Sequence, residues 1–276
     1  MAQIVSIQTT AYTTSASLTI TKPVSLAVGD FMVAFIQGAQ ESATPPSGWS
    51  LDINYNVASG NSQMKIYTKT ADSGDVAASN FTWTFGGGQY HGGSIMRITG
   101  FNTALPMAVY AQDDALATAT PTFTSTVTPN TVDSLLIFCL GTYVNASGNT
   151  RTASGYAIAT SNPAWTEQLD QTVDTGSASF QMSIASSIRP QITATGDASC
   201  TMSGSCTDLG NIMLVIRPQI TFTATETTSI VDFNIKGVNK TLNESTSVTD
   251  TLATSKQRRW NNQDKNSSSW NNQDKH

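Results

Sequence analysis

The sequence predicts an all-β protein: two tandem, pseudo-repeated antiparallel β-sandwiches of jelly-roll or immunoglobulin-like type, followed by an extended C-terminal arm. Three observations carry this. One order of segments occurs twice, apolar residues alternate or fall in runs of strand length, and Gly, Pro, Ser and Asn turns separate them. No sustained 3.6-residue stripe interrupts the pattern.

The repeat runs from residues 29–101 to residues 133–218. Phe35 and Gly38 answer to Phe138 and Gly141 at an offset of 103, and Trp49 answers to Trp165 at 116. Gly87, Gly93, Ile95 and Met96 answer to Gly204, Gly210, Ile212 and Met213 at 117. A period of about a hundred residues is longer than that of solenoid arrays, so a duplicated domain is the expectation. The boundaries read as 1–105, 106–218 and 219–276, and one larger sandwich of two pseudo-symmetric halves is the alternative reading of the first two.

Taken in order, residues 1–28 alternate β-branched residues with Ser and Thr, the pattern of half-buried strands. Phe31 to Ile36 is a continuous apolar run that suits a strand buried on both faces, and Gly38 ends it. Pro45-Pro46-Ser47-Gly48 forces a turn, because proline fixes φ and removes a donor. Trp49, Leu51, Ile53, Tyr55 and Val57 alternate as one face of the next strand; Met64, Ile66 and Tyr67 belong to another. Phe81, Trp83 and Phe85 share a face, and the glycines of residues 86–93 make a tight hairpin into Ser94 to Phe101. In the second copy, the span from Gly141 to Trp165 is 24 positions against 11 from Gly38 to Trp49. The 13 added residues within Thr142 to Asn162 mark a candidate functional loop.

Charged residues make up 12% of the chain, and residues 1–218 hold 7 Lys+Arg against 13 Asp+Glu. That acidic balance argues against nucleic acid as a partner, since binding to it rests on a basic surface. No apolar run reaches the roughly 18 residues of a membrane span, so no membrane insertion is expected. The N-terminal residues show no secretory pattern, which implies synthesis in a cytoplasm. Three cysteines make no disulfide framework. Cys139 reads as a small core residue; Cys200 and Cys206 flank a turn that brings a disulfide between them within reach, but the sequence leaves that open, and cytoplasmic thiols stay reduced until release.

After Pro218 the texture changes. Residues 226–232 and 244–250 match at an offset of 18, and Trp260 to Lys265 recurs as Trp270 to Lys275. So few apolar side chains do not offset chain entropy, so this arm orders only against a neighbour. Its expected assembly anchors are Trp260, Trp270, Ile230, Val231, Phe233 and Val248.

Catalytic signals are weak. His91 is the only internal histidine and has no nucleophile or elbow motif around it, so a turn histidine in a non-enzyme is the expectation. Asp113-Asp114 and Asp170 with Asp174 lack a calcium-loop spacing, and neither metal nor cofactor is implied. Sugar contact is the more physical idea: Tyr90, His91, Tyr143, Arg151 and Tyr156 are aromatic or polar residues in expected loops. Trp49, Trp83 and Trp165 read as core, because Trp83 answers to Cys200 and the other two to each other.

Gly29-Asp30 before an apolar strand, Pro45-Pro46-Ser47-Gly48-Trp49-Ser50, and Tyr67-Thr68-Lys69-Thr70-Ala71-Asp72 together resemble the β-sandwich proteins of tailed-bacteriophage virions. The Thr-rich arm with its Trp-Asn-Asn-Gln-Asp-Lys ends is similar to C-termini of such proteins. The resemblance implies a virion structural protein, whether tail fibre, baseplate appendage or capsid decoration. It also implies homo-oligomerisation and partners among other virion proteins. A host-surface polysaccharide is the further partner expected if the loops are adhesive.

Overall fold

The computed structural model describes residues 1–39, 42–57, 62–116, 118–146, 148–160 and 164–219. The expected arm anchors from Ile230 to Trp270 lie outside the described residues. Met1–Phe222 form one compact unit.

The first half contains β1 (Gln3–Thr13), β2 (Ser17–Thr21), β3 (Phe31–Gly38), β4 (Ala43–Thr44), β5 (Ser50–Asn56), β6 (Gln63–Thr70), α1 (Ser73–Ala77), β7 (Asn80–Phe85) and β8 (His91–Thr99). The second contains β9 (Met107–Leu116), β10 (Thr122–Phe123), β11 (Ser134–Val144), β12 (Ala153–Ile158), β13 (Thr166–Asp174), β14 (Ser179–Arg189), β15 (Ala198–Met202) and β16 (Asp208–Ile216). In the first half the sheets are ordered β1-β8-β3-β6-β5 and β2-β7-β4; in the second, β9-β16-β11-β14-β13 and β10-β15-β12. The two orders are identical strand for strand. Pairings of β1 with β8, β2 with β7 and β3 with β6 are those of a long hairpin rolled upon itself, so each half is a jelly roll.

Three cores result. Leu18, Ile20, Met32, Ala34, Ile36, Trp49, Phe81 and Trp83 fill the first roll, and Phe123, Leu136, Phe138, Leu140, Cys200 and Met213 fill the second. Between the rolls lies a shared core, in which Phe31, Val33 and Phe35 meet Leu135, Ile137, Cys139, Ile184 and Leu214. The five-stranded sheets therefore stack face to face, and the body is four β layers deep. This stacking explains the uninterrupted apolar runs. Every residue of β3 is buried, because odd positions enter the shared core and even ones the first roll's own core.

The layers correct the sequence alignment of the repeats. Phe35 lies in the shared core, but Phe138 lies inside the second roll; Cys139 takes the position of Phe35. Ile95 is likewise inside the first roll while Ile212 is in the shared core. A one-residue slip reverses every side chain of a strand, so the 103 offset between β3 and β11 and the 117 offset between β8 and β16 pair residues of opposite faces. Trp49 with Trp165 and Trp83 with Cys200 hold, since all four pack into the inner cores.

A second correction concerns the strand after Trp49. A register shift between Leu51 and Ile53 turns the chain over, so Trp49 faces the inner core, Leu51 is exposed, and Ile53, Tyr55 and Val57 face the shared core. The same shift recurs between Glu167 and Leu169 in β13. One helical turn, α1, interrupts the strands. It starts on a capping box in which Asp72 accepts from the Asp75 amide and Asp75 accepts from the Asp72 amide.

Candidate functional site

The two rolls meet edge to edge as well as face to face. Thr9 of β1 donates to Gln171 Oε1 of β13 at 2.5 Å, and Tyr55 of β5 donates to Asp114 Oδ1 of β9 at 2.5 Å. Along this seam, at the end where β3 finishes and β16 begins, aromatic rings from both rolls converge on Phe180. Tyr12 stacks on it at 5.5 Å between ring centres, Tyr90 tilts against it at 5.7 Å, and Tyr143 at 5.2 Å. Register places Tyr143 directly opposite Phe180 on the neighbouring strand.

Tyr90 and Tyr143 are half-buried, so part of each is open to solvent. Tyr143 donates its hydroxyl to Asn145 Oδ1 at 3.2 Å, which fixes the ring. The Tyr12 hydroxyl is buried without a hydrogen-bond partner, and burial pushes its pKa well above that of a free phenol. Two of the five residues expected to touch a glycan thus share one site. Tyr12 and Phe180 complete it and carried no signal in the sequence, because each sits in an ordinary alternating strand.

The other three are elsewhere. His91 opens β8 and is not a turn residue; it is buried inside the first roll, stacked on Phe85 with ring centres 3.6 Å apart. Burial, with the Lys65 charge nearby, lowers its pKa to about 4, so it is neutral at physiological pH and faces away from any surface ligand. Arg151 donates Nε to the Ser205 carbonyl at 3.0 Å and lies over Gly204, tying its loop to the β15–β16 hairpin. Tyr156 belongs to β12 and packs edge-on to Phe138 at 5.3 Å. Much of the added stretch of the second copy is that strand: β4 has two residues where β12 has six.

The remaining candidates are accounted for by local bonding. Asp113 accepts from the amide and hydroxyl of Thr124, and Asp174 from the amides of Gly148 and Gly176. Asp170 accepts from Gln181, Ser183 and the Ala153 amide. Among the described residues no three His, Cys, Asp or Glu side chains cluster. Cys139, Cys200 and Cys206 are free and buried. Comparison with protein-family models, with characterised proteins and with solved structures returns no match.

Chemically, the seam end offers two partly open phenol faces backed by Phe180. Such faces bind the apolar face of a ring sugar, with hydroxyls and amides at the rim supplying orientation.

Proposed function

We propose that the chain is a structural component of a bacteriophage virion, a tail fibre, baseplate appendage or capsid decoration, that joins its particle through residues 219–276. The observation that carries this reading is the contrast between body and arm. The body satisfies itself with three apolar cores, and its last bonds are Asn102 to the Arg217 carbonyl and Gln219 to the Gly100 carbonyl. The arm beyond it is Thr-rich, twice repeated and too poor in apolar residues to fold alone, so a partner surface completes it. Deleting residues 223–276 is expected to leave a folded, soluble body that is missing from purified particles. Incorporation at the normal level would refute the reading.

The meeting of Tyr90 and Tyr143 on Phe180 favours a second, compatible reading, in which the body also binds a host-surface polysaccharide. A glycan array decides it. Binding that disappears in both Tyr90→Ala and Tyr143→Ala supports recognition at the seam, and an array without signal leaves scaffolding alone.

A further inference from the structure

Below the aromatic rings, the seam holds a carboxylate, that of Asp208, and an amide oxygen, that of Gln37, that no donor reaches. Asp208, the first residue of β16, is 3% exposed, and neither oxygen of its carboxylate has a hydrogen-bond partner. Two buried carboxylate oxygens without a donor are acceptors left free to take a ligand.

Its surroundings are set by register. Asp208 is opposite Tyr143 of β11, and Gly210 is opposite both Gly141 of β11 and Asp114 of β9. Side chains two apart along a strand share a face, so Asp208 and Asp114 both look into the seam as diagonal neighbours, roughly 7 Å apart at their backbones. The bond from Tyr55 to Asp114 Oδ1, made by the opposite roll, confirms that face. A third acceptor comes from the first roll. Gln37 is fully buried, and its Cγ lies 2.8 Å from where a Cβ of Gly141 would be. Its amide nitrogen donates to Ser62 Oγ at 3.0 Å and to the Thr142 carbonyl at 2.9 Å, which fixes the orientation and leaves Oε1 with no donor.

All three groups are hard oxygen acceptors, and the Asp208 carboxylate and Gln37 Oε1 are buried with no donor. We infer that the open end of the seam binds a divalent cation of the calcium class, held by the carboxylates of Asp208 and Asp114 and the Gln37 amide oxygen. Calcium takes oxygen ligands at about 2.3–2.6 Å in loose geometry, so two aspartates on diagonal positions reach one ion. Tyr55 orients Asp114 from outside the ligand set. Because Gln37 belongs to one roll and the aspartates to the other, the ion would clamp the seam beneath the Phe180 cluster. The pattern is invisible as a loop motif, since its members lie on β3, β9 and β16.

The test uses the full chain with terbium as a luminescent calcium surrogate and calcium as competitor. Tyr143 and Tyr55 are close enough to sensitise terbium emission, so excitation of tyrosine is expected to give luminescence that calcium displaces. Asp208→Asn should weaken terbium affinity at least about tenfold, while Asp197→Asn, on a distant loop, leaves it unchanged. Calcium should also raise the wild-type melting temperature by a few degrees over a chelator-treated sample. This measurement decides the matter even if the Asp208 variant does not fold. Equal terbium affinity in Asp208→Asn, or a wild-type melting temperature indifferent to calcium and chelator, overturns the site.

Discussion

Tyr55 donates its hydroxyl to Asp114 across the seam, and Thr9 donates to Gln171 at the opposite edge, each at 2.5 Å. The two bonds are images of one another. Strand β1 is the counterpart of β9 and β5 of β13, so each edge of the seam joins the first strand of one roll to the fifth of the other. Such reciprocity is the signature of an isologous, two-fold interface, here formed within one chain.

The edge bond should be measurable as a coupling. Tyr55→Phe and Asp114→Asn are each expected to destabilise the body, and the double variant less than their sum. A hydrogen bond to a charged acceptor contributes about 1.5–3 kcal/mol. A cycle of urea denaturations on the four proteins checks this, with no coupling as the contrary result.

The shared core should make the rolls unfold together. Phe35 is fully buried between them, so Phe35→Ala is expected to cost about 3–5 kcal/mol. Calorimetry of the wild type should show one transition for residues 1–222, and Phe35→Ala should lower that transition as a whole without splitting it.

His91 gives the body a pH dependence of known sign. Its pKa is lowered to about 4 in the folded state, against the ordinary 6.5 of the unfolded chain. The unfolded state therefore takes up a proton first as pH falls, and stability is lost between about pH 6.5 and 4, by up to about 3 kcal/mol. Above 6.5 the contribution is complete. His91→Phe should flatten this part of the stability profile relative to wild type in urea titrations at stepped pH.

Gly38 has no room for a methyl group. A Cβ there would collide with the Tyr90 carbonyl oxygen, a backbone atom at the entry to β8. Gly38→Ala is expected to cost about 1–3 kcal/mol through overpacking and to disturb the adjoining Tyr90 ring. Gly176→Ala meets nothing within 4 Å and isolates the separate cost of a left-handed backbone at φ 81°.

The thiols should be inert until the protein opens. Burial raises the pKa of Cys200 to about 12 and of Cys206 to about 11, and pushes Cys139 higher still. A disulfide reagent at mildly alkaline pH is expected to titrate none of the three in the native protein and all of them in urea.

Much of this architecture is legible in the residues. The run from Phe31 to Ile36 announces a strand with no solvent face, and Trp83 answering to Cys200 announces core positions. The register is not legible. Phe35 and Phe138 look alike as letters, yet they face different cores, because alternation identifies two faces without saying which is which. The Leu51–Ile53 bulge is hidden for the same reason, since an inserted residue leaves apolar letters at regular intervals. At the seam, Tyr90 and Tyr143 stand out as aromatics among polar residues, although Tyr143 belongs to the end of β11 and not to the loop expected of it. Tyr12, Phe180, Asp208 and Gln37 do not, because only strand pairing across more than a hundred residues brings them together. The turn α1 has its signal in Asp72 and Asp75, three apart, but is too short to show a helical period.

Carrying both rolls on one polypeptide has a consequence for the seam. Two separate molecules would have to encounter each other to bury Phe35 against Cys139, and dilution would part them. Here the linkage keeps the faces together at any concentration and frees them from having to match themselves. One side can then keep a glutamine at position 37 where the other has Gly141, and a symmetric pair of separate copies could not hold that lopsided fit.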